Sequence, residues 1–364
     1  MQAHKDEMTA LLRELVAVPS VQGEAADGCP FGEEPARALA IMLEKCRGYG
    51  FAVENVDNYA GSADYGASEP ALAILTHLDV VPAGEGWSSD PFTLTRDGDK
   101  LVGRGAIDDK GPAVAAVFAL RAIRELGIPL KKGVRLIFGT NEENGSADLE
   151  YYRSKRSLPP MVFTPDGEYP VINAEKGMLR VYFSAPFDSG EIHGGTVINA
   201  VPSVCSYGAE DYCGKSAHAS TPEKGENAIT KFLDLQGTVH PLLASLSALF
   251  PHGETNGSSA GLGFSDEISG SMTCVLSMLG TDGGRLRGGI DIRFPLDRTK
   301  AEVSDIICGR LREAGFDIDS CEGVEPHCTD ADSEFVQALL RVYERVTGEK
   351  GRCIAIGGGT YVHE

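Results

Sequence analysis

The chain has 364 residues, 42% of them hydrophobic and 24% charged, and a formal net charge of −20. That composition is globular and excludes the disordered, fibrous and membrane-embedded classes, while the length favours two domains over one core. So acidic a surface repels phosphate backbones and anionic lipid, and neither nucleic acid nor a membrane is an expected partner.

The opening segment, MQAHKDEMTALLRELVAVPSV, mixes charges with apolar positions at helical spacing, which predicts a first helix from Lys5 to Val16 and no export signal. A second helix is expected after Pro35, running to about Arg47 before Gly48 and Gly50 interrupt the pattern. Three short apolar runs follow, Ala71 to Thr76, Val134 to Thr140 and Met161 to Thr164, each reading as a strand buried on both faces. Between the first two lies an alanine-rich helix from Gly111 to Leu126 with Pro112 in its first turn. Strands alternating with helices predict an α/β sheet covered on both sides.

From about Leu179 the pattern changes to alternating strands (LRVYFSA, SMTCVLSML, GGIDIRFP) around helices from Glu226 to Leu235 and Lys300 to Ala314. That predicts a second, smaller α+β domain. A helix from Ser333 to Val346 and a strand from Arg352 to Ile356 then predict a return to the first domain. The expected boundaries are 1–178 for the first domain, 179–325 for the insertion and 326–364 for the returning part. No apolar run approaches the roughly 20 residues that a membrane helix requires. The nine cysteines are scattered and form no C-x-x-C pair, which suits reduced thiols and a cytoplasmic location.

The chemistry is concentrated at strand ends. His77 and Asp79 follow the first buried run, Glu142 and Glu143 the second, and Asp166 the third, while Asp108 and Asp109 sit in the turn GRGAIDDKGP. In open α/β sheets ligands bind beyond the carboxyl ends of the strands, so these groups are expected to converge. Singly, each is the ordinary solvated acid of a loop. Packed together, these carboxylates and an imidazole need cations to neutralise them, and the donor set suits zinc, with manganese or cobalt as substitutes.

In these residues the sequence resembles the co-catalytic dizinc metallopeptidases, peptidase family M20, a group that includes dipeptidase V, carnosinase, aminoacylase, carboxypeptidase G and succinyl-diaminopimelate desuccinylase. The matching text is THLDVVPAGEGW, GRGAIDDKGP, GTNEENGS, FTPDGEYP, GKSAHASTPEKGENA, DIRFP and IGGGTY, and it is closest to the dipeptidase V and carnosinase branch. The resemblance implies an α/β zinc-peptidase catalytic domain with a mixed, mostly parallel sheet and an inserted α+β lid. It implies two zinc ions held by His77, Asp108, Glu143 and Asp166, with Asp108 bridging. Asp79 would orient His77, and Glu142 would be the general base for a metal-bridging water. His218 would donate to the oxyanion, and Arg293 would pair with a substrate carboxylate, assisted by Asn199 and the backbone around Gly358.

The implied reaction is hydrolysis of a small peptide with a free C-terminus. Deacylation of N-acyl amino acids, or metal binding without turnover, are the alternatives. Monomer and homodimer are equally compatible with the sequence. The match departs at two places. Pro202 to Gly214 is shorter than the family pattern, and the further histidine implied for the second metal lies beyond GGGTY, where the sequence offers only His363 in a different context. The second metal site is therefore expected to be short of a ligand.

Overall fold

A computed structural model describes residues 4–66 and 69–361. Its contacts divide the chain into two units, one running to Gly167 and taking in Thr360 and Tyr361, the other covering Glu168–Gly359.

The first unit begins with helices α1 (Lys5–Val16) and α2 (Glu33–Gly48), followed by strands β1 (Ala52–Val56), β2 (Ala60–Tyr65) and β3 (Pro70–His77). A small hairpin, β4 (Thr95–Asp97) and β5 (Lys100–Val102), leads to α3 (Lys110–Glu125), β6 (Gly133–Gly139), α4 (Ala147–Lys155) and β7 (Met161–Phe163). The sheet order is β1-β2-β6-β3-β7. The three strands read from apolar runs form its parallel part, β3 between β6 and β7. The antiparallel edge of β1 and β2 escaped the sequence reading because AVENV and AGSADY interleave polar residues and carry no continuous apolar run.

Leu11, Leu15 and Val16 of α1 pack with Leu39, Met42 and Leu43 of α2 and with Ala113, Val117 and Leu120 of α3 in one core. These positions recur every three or four residues, so each helix turns one apolar stripe inward. Buried Lys110 donates its Nζ to the carbonyls of Leu15 at 3.0 Å and Val18 at 2.9 Å, tying the end of α1 to the start of α3. Those carbonyls lie where a helix end leaves acceptors without intrahelical donors.

The second unit contains β8 (Val171–Glu175), β9 (Gly177–Pro186), β10 (Ile192–Gly194), β11 (Ala200–Val201), β12 (Val204–Tyr207), β13 (Glu210–Cys213) and β14 (Ala217–His218). Helices α5 (Ala228–Gln236) and α6 (Pro241–Leu249) precede the short pair β15 (Ser265–Asp266) and β16 (Gly270–Ser271). The long strands β17 (Thr273–Asp282) and β18 (Arg285–Phe294), then α7 (Lys300–Glu313), β19 (Asp317–Val324), β20 (His327–Cys328), α8 (Glu334–Thr347) and β21 (Cys353–Ile356), complete it. Its main sheet runs β13-β12-β10-β17-β18-β9-β19, antiparallel throughout. One face carries the core of Leu179, Val181, Ile290 and Ile292 under α5, α6 and α7, with a capping box of Thr299 and Glu302 starting α7. The stretch Pro202 to Gly214, short by the family pattern, closes as the β12–β13 hairpin.

The segment expected to leave this unit at residue 326 pairs within it. β8 takes β20 on one side and β21 on the other, so the strand from Cys353 to Ile356 satisfies its backbone inside the second unit. The first unit likewise ends at Gly167 by contacts, before the expected Leu179.

Candidate functional site

In the first unit the parallel strands deliver the expected groups to one place. His77 ends β3, Glu142 and Glu143 form a short turn after β6, Asp166 follows β7, and Asp108 sits in the turn before α3. The buried His77 ring is the hub. Its Nε2 lies 3.0 Å from Asp108 Oδ1, 3.5 Å from Asp166 Oδ2 and 4.0 Å from Glu142 Oε2. Ligand-capable atoms of His77, Glu142 and Asp166 all lie within 4.8 Å of one another, and so do those of His77, Asp108 and Glu143.

The other ring nitrogen, Nδ1, faces Asp79, 3.1 Å from its carbonyl and 3.3 Å from its carboxylate Oδ1. Asp79 is fully buried, and its two oxygens accept the amides of Glu142 at 3.2 Å and Glu143 at 3.1 Å. One carboxylate thus touches the imidazole and fixes the turn that carries both glutamates. Asp109, on the cis peptide after Asp108, accepts the His77 amide at 3.1 Å.

The electrostatics follow from burial. Glu142 is pushed up to about 8 by desolvation, with Asp166, Asp79 and Glu143 adding repulsion. Glu143 is pushed up to about 7 by desolvation and then Asp108. Burial opposes a charge on His77, yet Asp108, Asp166 and Asp79 outweigh it and hold the ring well above its ordinary value. Without a metal, the proton on His77 is the counter-charge that the carboxylates require.

In the second unit, β14 pairs with β11 so that His218 stands opposite Ala200, and the Asn199 carbonyl accepts the Ala219 amide at 2.9 Å. The Nδ1 of His218 lies 2.6 Å from Ser220 Oγ and accepts the Ser220 amide at 3.2 Å. In the neutral ring the proton therefore resides on Nε2, and that atom is free to donate. Desolvation, then the charges of Arg293 and Arg180, lowers the His218 pKa and favours this form.

Arg293 is buried, with Nε 2.7 Å from Asp291 Oδ1, Nη2 3.0 Å from Asp291 Oδ2 and Nη1 donating to the Gly357 carbonyl at 2.9 Å. Its Nε–Nη2 edge is thus engaged by a neighbour on the same strand. Gly357 packs against Ser220, where a Cβ would come 3.0 Å from the serine Cβ, whereas a Cβ on Gly358 would meet the Ile356 side chain at 4.0 Å.

A family profile described as peptidase family M20/M25/M40 matches residues 73–363, most of the chain. The chain belongs to this family. It is 32% identical to the Beta-Ala-Xaa dipeptidase of Lactobacillus delbrueckii subsp. lactis, over 99% of this chain and 87% of that protein. That alignment runs over 416 positions, so the relative carries internal residues that this M20 peptidase lacks. In fold it is similar to human carnosine dipeptidase 1, with a TM-score of 0.65 at 19% identity, covering 99% of this chain and 87% of that one. It is also similar to the Bacillus subtilis YXEP protein, a dinuclear metal binding peptidase, with a TM-score of 0.55 at 12% identity, covering 100% and 86%.

The residues present fit metal ions in this M20 peptidase. The donor set is one imidazole and four carboxylates drawn from four segments and crowded together, where burial first and mutual repulsion second let Glu142 and Glu143 hold protons near neutrality. Divalent cations would relieve that crowding. His363, the only histidine beyond GGGTY, lies outside the described residues.

Two contributors escaped the sequence reading. Tyr361, quoted only as the end of IGGGTY, is buried against His77, their rings edge to face at 6.1 Å, and its hydroxyl donates to Asp148. Asp148 in turn accepts the amides of Thr140 at 2.5 Å and Asn141 at 2.8 Å, just ahead of Glu142. Gly139 makes room, since a Cβ there would meet the Tyr361 hydroxyl at 1.8 Å. An acid in the first turn of a helix was the available signal for Asp148; nothing local marked its partner.

Proposed function

We propose that this M20 peptidase is a cytoplasmic zinc dipeptidase that cleaves small peptides with a free C-terminal carboxylate. The observation that carries the reading is the convergence of three carboxylates within 4.0 Å of His77 Nε2. Likeness to a Beta-Ala-Xaa dipeptidase supports the substrate class, and the nine free cysteines support a reducing compartment. Among the described residues no helix is long and apolar enough to cross a membrane.

His77, Asp108, Glu143 and Asp166 would hold the ions. Zinc, when bound, supplies Lewis acidity toward the scissile carbonyl and the attacking water. Glu142 is the general base: it takes a proton from water as the C–O bond forms and hands it to the leaving amine as the C–N bond breaks. Asp79 keeps Nδ1 of His77 protonated, leaving Nε2 as the ligand atom, and holds the backbone of Glu142 and Glu143. His218 donates from Nε2 to the developing oxyanion. Arg293 places positive charge at the C-terminal carboxylate, with Asn199 and the Gly358 backbone lining the same subsite.

The test is hydrolysis by zinc-loaded protein, repeated with manganese and cobalt, on matched dipeptides, dipeptide amides and N-acetyl amino acids. Dipeptides are expected to be cleaved best, with amides about ten- to hundredfold poorer in kcat/KM for loss of a charge-assisted contact. Preference for N-acetyl amino acids would move the protein to the amidohydrolases, and no turnover with any metal would leave a metal-binding relative.

A further inference from the structure

The face of the main second-unit sheet opposite its apolar core carries an unbalanced charge. Register places Arg180 of β9 directly across from Asp291 of β18, and Thr273 of β17 directly across from Arg293. Asp291 and Arg293 are two apart on one strand and so share that face, which puts Arg180 diagonal to Arg293. The interior alternates away from it, with Leu179, Val181, Ile290 and Ile292 on the core side.

Asp291 is fully buried between the two guanidiniums, and its hydrogen bonds go to one of them. Arg293 takes both carboxylate oxygens. Arg180 approaches no closer than 3.9 Å, and its Nε is buried without a hydrogen-bond partner. Across Arg293 on the other side, Thr273 is buried and its hydroxyl is likewise unpartnered. The remaining cross-strand neighbour of Arg180, Glu322, is exposed and forms no ion pair with it among the described residues. The Arg180 side chain keeps 39% of its surface open, so the guanidinium is reachable from solvent.

Two cations therefore share one anion, and the donor left over is Arg180. The same pair of arginines bears on His218, lowering its pKa, so the surplus charge stands close to the residue placed at the oxyanion. With the Nε–Nη2 edge of Arg293 occupied by Asp291, the fork that suits a carboxylate is not on offer from Arg293 alone.

We propose that Arg180 is a substrate-binding residue that completes the carboxylate subsite, taking the C-terminal carboxylate of the dipeptide together with Arg293. This rests on the dipeptidase reading above. Asp291 then acts as a positioning residue, holding Arg293 in place while leaving the cluster with one positive charge in excess. The incoming carboxylate supplies the balancing negative charge and a partner for the donor left over.

The experiment compares alanyl-alanine with alanyl-alanine amide in zinc-loaded wild type, Arg180→Gln and Arg180→Lys, with thermal melts to check the fold. In wild type the acid is the better substrate. Arg180→Gln is expected to lower the acid-to-amide ratio of kcat/KM about tenfold, through KM for the acid, and Arg180→Lys to recover part of it. An unchanged ratio in Arg180→Gln, or equal losses on acid and amide, would overturn the proposal and leave Arg180 structural. A wild type that treats acid and amide alike would instead remove the free-carboxylate reading itself, a different failure from the first.

Discussion

Tyr361 donates its hydroxyl proton to Oδ2 of Asp148, the same oxygen that accepts the backbone amides of Thr140 and Asn141. A residue near the end of the chain thereby braces the turn that presents Glu142 and Glu143, and its ring lies edge-on to His77. Replacing Tyr361 with Phe keeps the ring and deletes one buried hydrogen bond. The expected cost is about 1 to 2 kcal/mol of stability in denaturant unfolding, with zinc affinity reduced. A variant equal to wild type in both would show that the contact braces nothing.

Asp148 titrates abnormally. Burial, reinforced by Asp79, pushes its carboxyl up to about 6 from an ordinary 3.8. Between those values the folded protein holds a proton that the unfolded chain has released, so this group makes stability fall as pH rises through that window. Asp148→Asn removes the titration. The stability of wild type relative to the variant should drop by about 2 kcal/mol between pH 4 and pH 6.5 and change little above. Parallel pH curves for the two proteins would contradict this assignment.

For Asp79, the two amides and the imidazole share one carboxylate. Asp79→Ala leaves all three donors without it, so zinc affinity measured by chelator competition is expected to fall by about 10- to 100-fold. Retained affinity would mean that the Asp79 carbonyl, 3.1 Å from Nδ1, orients the ring alone.

Glu142 and Glu143 are adjacent and chemically alike, and the proposal gives them different tasks. Glu142→Gln preserves shape and removes the base, so turnover should drop by about 10² to 10⁴ while bound zinc stays near the wild-type amount. Because Glu142 lies in the same ligand-capable group as His77 and Asp166, loss of zinc in this variant is the informative contrary result. It would reassign Glu142 as a ligand.

Much of this is legible in the sequence alone. The runs from Ala71, Val134 and Met161 became β3, β6 and β7, since short apolar runs bounded by turn residues mark strands, but β7 lies at the sheet edge with Met161 exposed and is not buried on both faces as expected. The acids and the histidine at their ends then had to meet, since parallel strands in one sheet end at one edge. The β1–β2 edge and α6 were missed, the first because half-polar strands resemble loops, the second because PLLASLSAL is apolar on too many sides to show one stripe.

The sequence by itself determined which residues could serve a metal centre, for their chemistry and their places at strand ends are local properties of the chain. Only the tertiary structure decided what each one touches. That Asp79 binds the amides of Glu142 and Glu143, that Asp291 occupies the Arg293 fork and leaves Arg180 Nε without a hydrogen bond, and that Tyr361 reaches Asp148 are contacts whose strength depends on ångström distances. Hydrogen bonds and desolvation act over those distances, and no pattern along the chain records them.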